Sequence, residues 1–165
     1  LGWVLRQSVL FQTTPFELTE ADIVGQYPAH WTQEFEEDPL LKVRDHMGGE
    51  FDSVLTLRSR PLADEADVAI VLDALSLKRA RTVIAYNTLD TNQVVVAGRT
   101  AHRRQFTYVH TDANPYVDRL PVVVRGTDLA FRDAGRIVVV TFLTGVDDYA
   151  VQYPHFRALV ESLVL

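Results

Sequence analysis

Residues 120–143 read LPVVVRGTDLAFRDAGRIVVVTFL, two β-branched runs on either side of Arg132, Asp133, Ala134 and Gly135. Branching at Cβ favours extended backbone, and a short connection ending in glycine favours a tight reversal. The pattern predicts antiparallel strands over residues 120–131 and 136–143, with Gly135 at a left-handed position between them. An isolated hairpin is marginal in water, so the rest of the chain has to extend and cover it.

The flanking segments supply both. Residues 93–97 and 101–110 read as two further strands that lengthen the hairpin into an antiparallel meander. Upstream, residues 40–44 and 51–59 flank Gly48 and Gly49, a pair suited to the positive φ of a hairpin turn. In the second arm Leu55 and Leu57 alternate with Thr56 and Arg58, one face buried and one wet. Residues 16–18 and 23–26 flank a turn over 19–22, and Pro28 ends the second piece. Residues 3–11 read as a strand or arm, interrupted by Thr13, Thr14 and Pro15.

Two helices complete the pattern. Residues 64–81 carry Val68, Val71, Leu72 and Leu75 at helical spacing, Asp64 or Asp67 as a cap, and Lys78, Arg79 and Arg81 at the end where cations suit the helix dipole. Residues 147–165 place Phe156, Leu159, Val160 and Leu163 on one face, with Pro154 expected in the first turn. Strands in runs, without regular βαβ alternation, give an α+β class with an antiparallel β-sheet and helices on one face.

Composition limits function more by exclusion. A length of 165 residues fits a single domain, and 47% apolar with 23% charged residues fits a globular one. The formal net charge of -6 argues against nucleic acid, whose binders need surplus Lys and Arg. Residues 15–50 hold nine acids against Lys42 and Arg44, whereas residues 78–104 hold six basic residues against Asp90. Charge runs of this kind are ordinarily solvated faces. The sequence has no cysteine, hence no disulfide and no thiolate chemistry. It begins at Leu1 rather than methionine, so an upstream tag, signal peptide or membrane anchor is expected.

The chemistry-bearing residues are dispersed. His102 and His110 lie eight positions apart on one predicted strand, about 27 Å at about 3.4 Å per residue, too far to share a metal. With Arg104, Phe106 and Tyr108 they fall on one face of that strand. His102, Arg104, Tyr108 and His110 are therefore the candidate ligand-binding row. No GxSxG, P-loop, GxGxxG or HExxH pattern occurs, so no catalytic residue, metal ligand or cofactor is assigned. Within YPAHWTQEFEED, residues 27–38, Pro28 stops a strand, Trp31 belongs in the core and His30 points away from it. Glu34, Glu36, Glu37 and Asp38 follow no calcium-loop spacing and read as a solvated acidic loop.

Four stretches resemble the Mog1/PsbP-like superfamily, which includes PsbP-like, DcrB-like and mycobacterial LpqN-like domains. VGQYPAHW resembles its early strand and Tyr-Pro-x-x-Trp element, and LADEADVAIVLDAL stands where it has a long helix. VVVAGRTAHRRQFTYV is similar to its strand, glycine turn and second strand. GRIVVVTFLTGVDDYAVQYPHFRALVESLVL is similar to its last strand, acid-Tyr linker and terminal helix. The resemblance implies an α/β/α sandwich over residues 16–165 as one domain, with residues 1–15 an arm or tether. It also implies a non-catalytic role, as in photosystem II accessory factors, a nuclear-transport adaptor and exported bacterial proteins, often lipoproteins. On that basis the chain is expected to be a bacterial extracytoplasmic interaction domain. Its partner would be another protein, and any membrane contact would come through an upstream segment. The alternative is a small-ligand-binding domain or enzyme whose pocket lies between sheet and helix and uses the His102–His110 row.

Overall fold

A computed structural model describes residues 12–63, 66–112 and 120–165. The elements run β1 (Thr13–Leu18), β2 (Ile23–Pro28), β3 (Thr32–Glu34), β4 (Leu41–Asp45), β5 (Ser53–Pro61), α1 (Val68–Thr82), β6 (Ile84–Val96), β7 (Arg99–His110), β8 (Val122–Asp133), β9 (Arg136–Gly145) and α2 (Tyr149–Ser162). Strands β1 and β2 form a separate hairpin, and the others form a seven-stranded sheet in the order β3-β4-β5-β9-β8-β7-β6. Every pairing is antiparallel. The predicted arm over residues 3–11 and the Asp64 cap lie outside the described residues. Thr13, Thr14 and Pro15, read as an interruption, are instead paired residues of β1.

The β8–β9 hairpin forms as its residues require, and its register closes with Asp133 opposite Arg136. Both turn residues are left-handed, Ala134 at φ 40 and Gly135 at φ 77. This is the primed-turn geometry whose twist matches antiparallel strands. The β6–β7 hairpin repeats the device with Ala97 at φ 50 and Gly98 at φ 75. By contrast, neither Gly48 nor Gly49 has positive φ, so the expected glycine turn does not form there. Space explains Gly49 instead: a Cβ on it would stand 2.5 Å from Asp148 Oδ2.

Residues 137–142 of β9 are all buried, because both faces of the sheet are covered here. Val138, Val140 and Phe142 face the main core with Phe16, Trp31, Tyr149, Phe156 and Leu159, under α2 and the β1–β2 hairpin. Ile137 and Val139 face the other way, against Val68 and Leu72 of α1. The helices therefore lie on opposite faces. This corrects the one-face arrangement expected from element order and gives three layers. Pro154 sits in the sixth position of α2 rather than the first turn. It costs the helix one internal hydrogen bond near its start.

Helix α1 starts at Val68, where the Asp67 carboxylate accepts from the Ala69 N–H at 2.9 Å. Its apolar grip is narrow, since only Val68 and Leu72 are fully buried. Polar clamps do the rest. Arg79 holds both oxygens of Asp128, a β8 carboxylate with no exposure, and Thr141 donates to the same group at 2.7 Å. Asp73 and Ser76 accept from Arg104 at 2.6 and 2.8 Å. The Arg79 guanidinium also stacks 4.3 Å from the centre of the Phe106 ring, which lies over Gly126 on the paired strand. Any side chain at position 126 would collide with that ring.

Trp31 is buried as expected, but His30 does not point away. The indole Nε1 donates to His30 Nε2 at 3.1 Å, and the His30 ring lies 5.6 Å from that of His155 on α2. A buried indole N–H needs an acceptor, and the neighbouring imidazole provides one. Gln152, one turn before His155, donates to the buried Asp45 carboxylate at 3.0 Å. Burial, together with the nearby His30, lowers the His155 pKa, with Asp45 opposing in part.

Four expectations come from this packing. Trp31→Ala should cost about 3–5 kcal/mol in urea unfolding as a core truncation. His30→Ala, which strands the indole N–H, should cost about 1–3 kcal/mol. Arg79→Ala should cost about 3–5 kcal/mol, because it leaves the Asp128 charge buried and uncompensated, and Asp128→Asn in that background should recover part of the loss. Because the folded pKa of His155 lies below its ordinary 6.5, the unfolded chain takes up that proton first. Stability should therefore fall as pH drops below about 6.5, and His155→Gln should flatten this step in urea midpoints taken from pH 7.5 to 5.5.

Candidate functional site

The alternation of β7 places His102, Arg104, Phe106, Tyr108 and His110 on one face, the face that α1 covers. Arg104 is 8% exposed, and its guanidinium is bound by Asp73, Ser76 and Thr91. Tyr108 is equally buried, which pushes its hydroxyl pKa up to about 12 against a smaller opposing pull from Arg79. The two imidazoles lie at the ends. His102 Nε2 is 3.3 Å from the Gln93 amide, and His110 is exposed with its ring 5.2 Å from Phe51. The helix brings Arg104 and Tyr108 under one cover, and the four side chains do not converge on a common point.

The concave feature between helix and sheet lies beside this row. Helix α1 packs toward β6, β7 and β8. The β9 and β5 side of the same face is left open as a cleft of about 350 Å³. Its floor is Ile137, Val139 and Thr141, and one wall is Val71, Ala74 and Leu75. Arg58, Arg60 and Asp38 form the opposite rim, while Lys78, Arg79 and Thr82 close one end. Alternation explains the rim: Thr56, Arg58 and Arg60 lie opposite Thr141, Val139 and Ile137 and share their face.

The electrostatics of the cleft oppose those of the chain. Four cations line it, against Asp38 at the rim and Asp128 behind Arg79, in a protein of net charge -6. Burial disfavours the Arg79 charge, but Asp128 outweighs that and raises its pKa further. At the rim a single carboxylate is shared, with Arg58 Nε donating to Asp38 Oδ1 at 3.2 Å and Arg60 Nη2 to Oδ2 at 3.1 Å. An apolar floor with guanidinium groups at its edge can hold an anion that carries an aliphatic part.

Of the acids at residues 34–38, Glu36, Glu37 and Asp38 are exposed in the irregular segment after β3, as the solvated-loop reading has it, and only Glu34 departs from it. Glu34 lies in β3 and meets Arg44 and Lys42, each at 2.7 Å, and Lys42 also reaches Glu36 at 2.6 Å. The hydrogen bond from Arg44, then that from Lys42, holds the Glu34 pKa down to about 2. Arg58, Arg60, Lys78 and Arg79 escaped the sequence reading because each had a simpler role, as wet-face strand residues or helix-end cations. The available signal was the period of two from Thr56 through Arg58 to Arg60. Among the described residues no group of three or more His, Asp and Glu could hold a metal ion.

The sequence matches no protein-family model, and no curated protein matches it. Solved structures do match. Cyanobacterial PsbP (CyanoP) from Synechocystis sp. PCC 6803 aligns over 93% of this chain and 92% of its own, at 10% identity and a TM-score of 0.67. The Ran-binding protein Mog1p of Saccharomyces cerevisiae aligns over 93% and 95%, at 14% identity and 0.61. LpqN of Mycobacterium tuberculosis, a protein involved in cell envelope biogenesis, aligns over 93% and 90%, at 13% identity and 0.58. Antiparallel seven-stranded sheet, flanking hairpin and two opposed helices together make this an α+β protein of the Mog1/PsbP-like fold.

Proposed function

We propose that this protein is a non-catalytic interaction domain that binds through the cleft beside α1. The observation that carries the reading is the committed state of the polar groups there. Arg58 and Arg60 share Asp38, and Arg79 and Thr141 occupy both oxygens of Asp128. Thr141 is the hydroxyl on the floor, and the carboxylate beside it is already neutralised by a guanidinium, which makes it a poor base for activating that hydroxyl. Cations on an apolar surface serve recognition. Fold relatives described as a Ran-binding protein and as a participant in cell envelope biogenesis are consistent with an accessory role.

The finer reading is a bacterial, extracytoplasmic domain whose partner is another protein, held near a membrane by a segment upstream of β1. The PsbP and LpqN likenesses support it, and no helix among the described residues is long and apolar enough to cross a bilayer. A second reading, a small-ligand-binding domain, is favoured by the size and apolar floor of the cleft.

A photocrosslinking amino acid at position 70, an exposed site on α1, tests the first reading in the native host. One protein adduct should form with the parent sequence and fall at least about tenfold with Arg60→Glu, the scale of a lost charge contact at an interface. An adduct pattern unchanged by Arg60→Glu would remove the cleft from the interaction. Recovery of the full-length protein in the cytosolic fraction would overturn the extracytoplasmic assignment.

A further inference from the structure

We propose that the α1 cleft is a receptor for a short aliphatic monocarboxylate, and that Asp38 occupies its anion position when the site is free. The proposal rests on the second reading above, binding of a small ligand without chemistry.

The arrangement at the rim is that of a carboxylate already bound. Two guanidinium groups from successive same-face positions of β5 each take one oxygen of a single carboxyl group, at 3.2 and 3.1 Å. The group they hold is poorly anchored, since the Asp38 side chain is 56% exposed and comes from the irregular segment between β3 and β4. Solvent-facing pairs of this kind exchange at little cost. A competing carboxylate that also buries a chain against Val71, Leu75, Ile137 and Val139 gains apolar contact that Asp38 cannot make.

Size and charge narrow the ligand. A volume of about 350 Å³ lies at the small end of ligand pockets, enough for a chain of several carbons and too little for a folded element. Lys78 finds no carboxylate within salt-bridge distance among the described residues, so the cleft keeps a positive charge even with Asp38 in place. The floor offers no counterpart for a polyhydroxylated ligand, because Thr141 already donates to Asp128.

Titration of the isotopically labelled chain with octanoate, octanol and inorganic phosphate, followed by amide NMR, tests the idea. Octanoate should saturate, with shifts centred on Arg58, Leu75 and Val139. Octanol should bind at least about tenfold more weakly and phosphate should leave those amides unmoved, because chain and charge are both required. Asp38→Asn should tighten octanoate by about three- to tenfold, the scale of one exposed ion pair released, and Arg58→Gln should weaken it by a similar factor. Arg60→Gln provides a second variant with a more exposed side chain, and thermal unfolding confirms that each is folded. Equal affinity for octanol and octanoate, shifts mapping elsewhere, or no effect of Asp38→Asn would overturn the proposal. New resonances from a transformed ligand would overturn the non-catalytic reading instead, so the two failures are distinguishable.

Discussion

Asp128 is a carboxylate without solvent exposure near the centre of a seven-stranded sheet, and the placement of α1 depends on how its charge is met. Arg79 reaches down from the last turn of the helix to take both oxygens, and Thr141 donates from the adjacent strand. Desolvating such a pair costs several kcal/mol per ion, so it adds little net stability over an apolar contact. Its effect is positional. The guanidinium fixes the end of α1, stacks on Phe106 and thereby gives Gly126 its need for a bare backbone. The same anchor draws the helix toward β6–β8, so that a cleft remains between α1 and the Arg58–Arg60 side of β5, with β9 as its floor.

Much of the sheet was legible in the sequence because short-range rules decide it. β-branched runs, period-two alternation and the turn signal of residues 132–135 marked the meander, though not that Arg132 and Asp133 pair within it, and the stripe of Phe156, Leu159, Val160 and Leu163 marked α2. The first half of β6 was not legible. It is an exposed strand with irregular register at residues 84–90 and a left-handed Ala85, so no alternating apolar pattern marks it. Placement of the helices on opposite faces followed from burial of both odd and even positions in β9, which the continuous run IVVVTF at residues 137–142 already displays.

The site was less legible than the fold, for a physical reason. The row of His102, Arg104, Tyr108 and His110 was found by chemistry and falls on one face as expected, yet Arg104 is engaged in tying down α1 and Tyr108 is buried against Phe106. The cleft residues come from four parts of the chain far apart in sequence, Asp38 before β4, Arg58 and Arg60 on β5, Lys78 and Arg79 on α1, and the floor on β9. Only the tertiary packing gathers them. Regional charge counts named neither pairing, that of Lys42 and Arg44 with Glu34 or that of Arg58 and Arg60 with Asp38. A positive cleft in a negative protein focuses its field inward, while the net charge repels bulk anionic polymers.

The two helices are attached by different physics. Helix α2 is held by aromatic rings packed on Phe142 of β9, with Phe156 stacked on it and Tyr149 and Tyr153 tilted against it, and lifting it would expose the main core. Helix α1 is held by a smaller apolar cluster, Val68 and Leu72 against Ala130, Ile137 and Val139, and by the ion pairs of Arg79 with Asp128 and of Arg104 with Asp73. The two faces of one sheet are thus covered by different means, aromatic packing on one and a small apolar cluster with ion pairs on the other. Local opening at α1 costs less than global unfolding, so amide protons of that helix and of its cleft have a route to exchange that the aromatic side lacks.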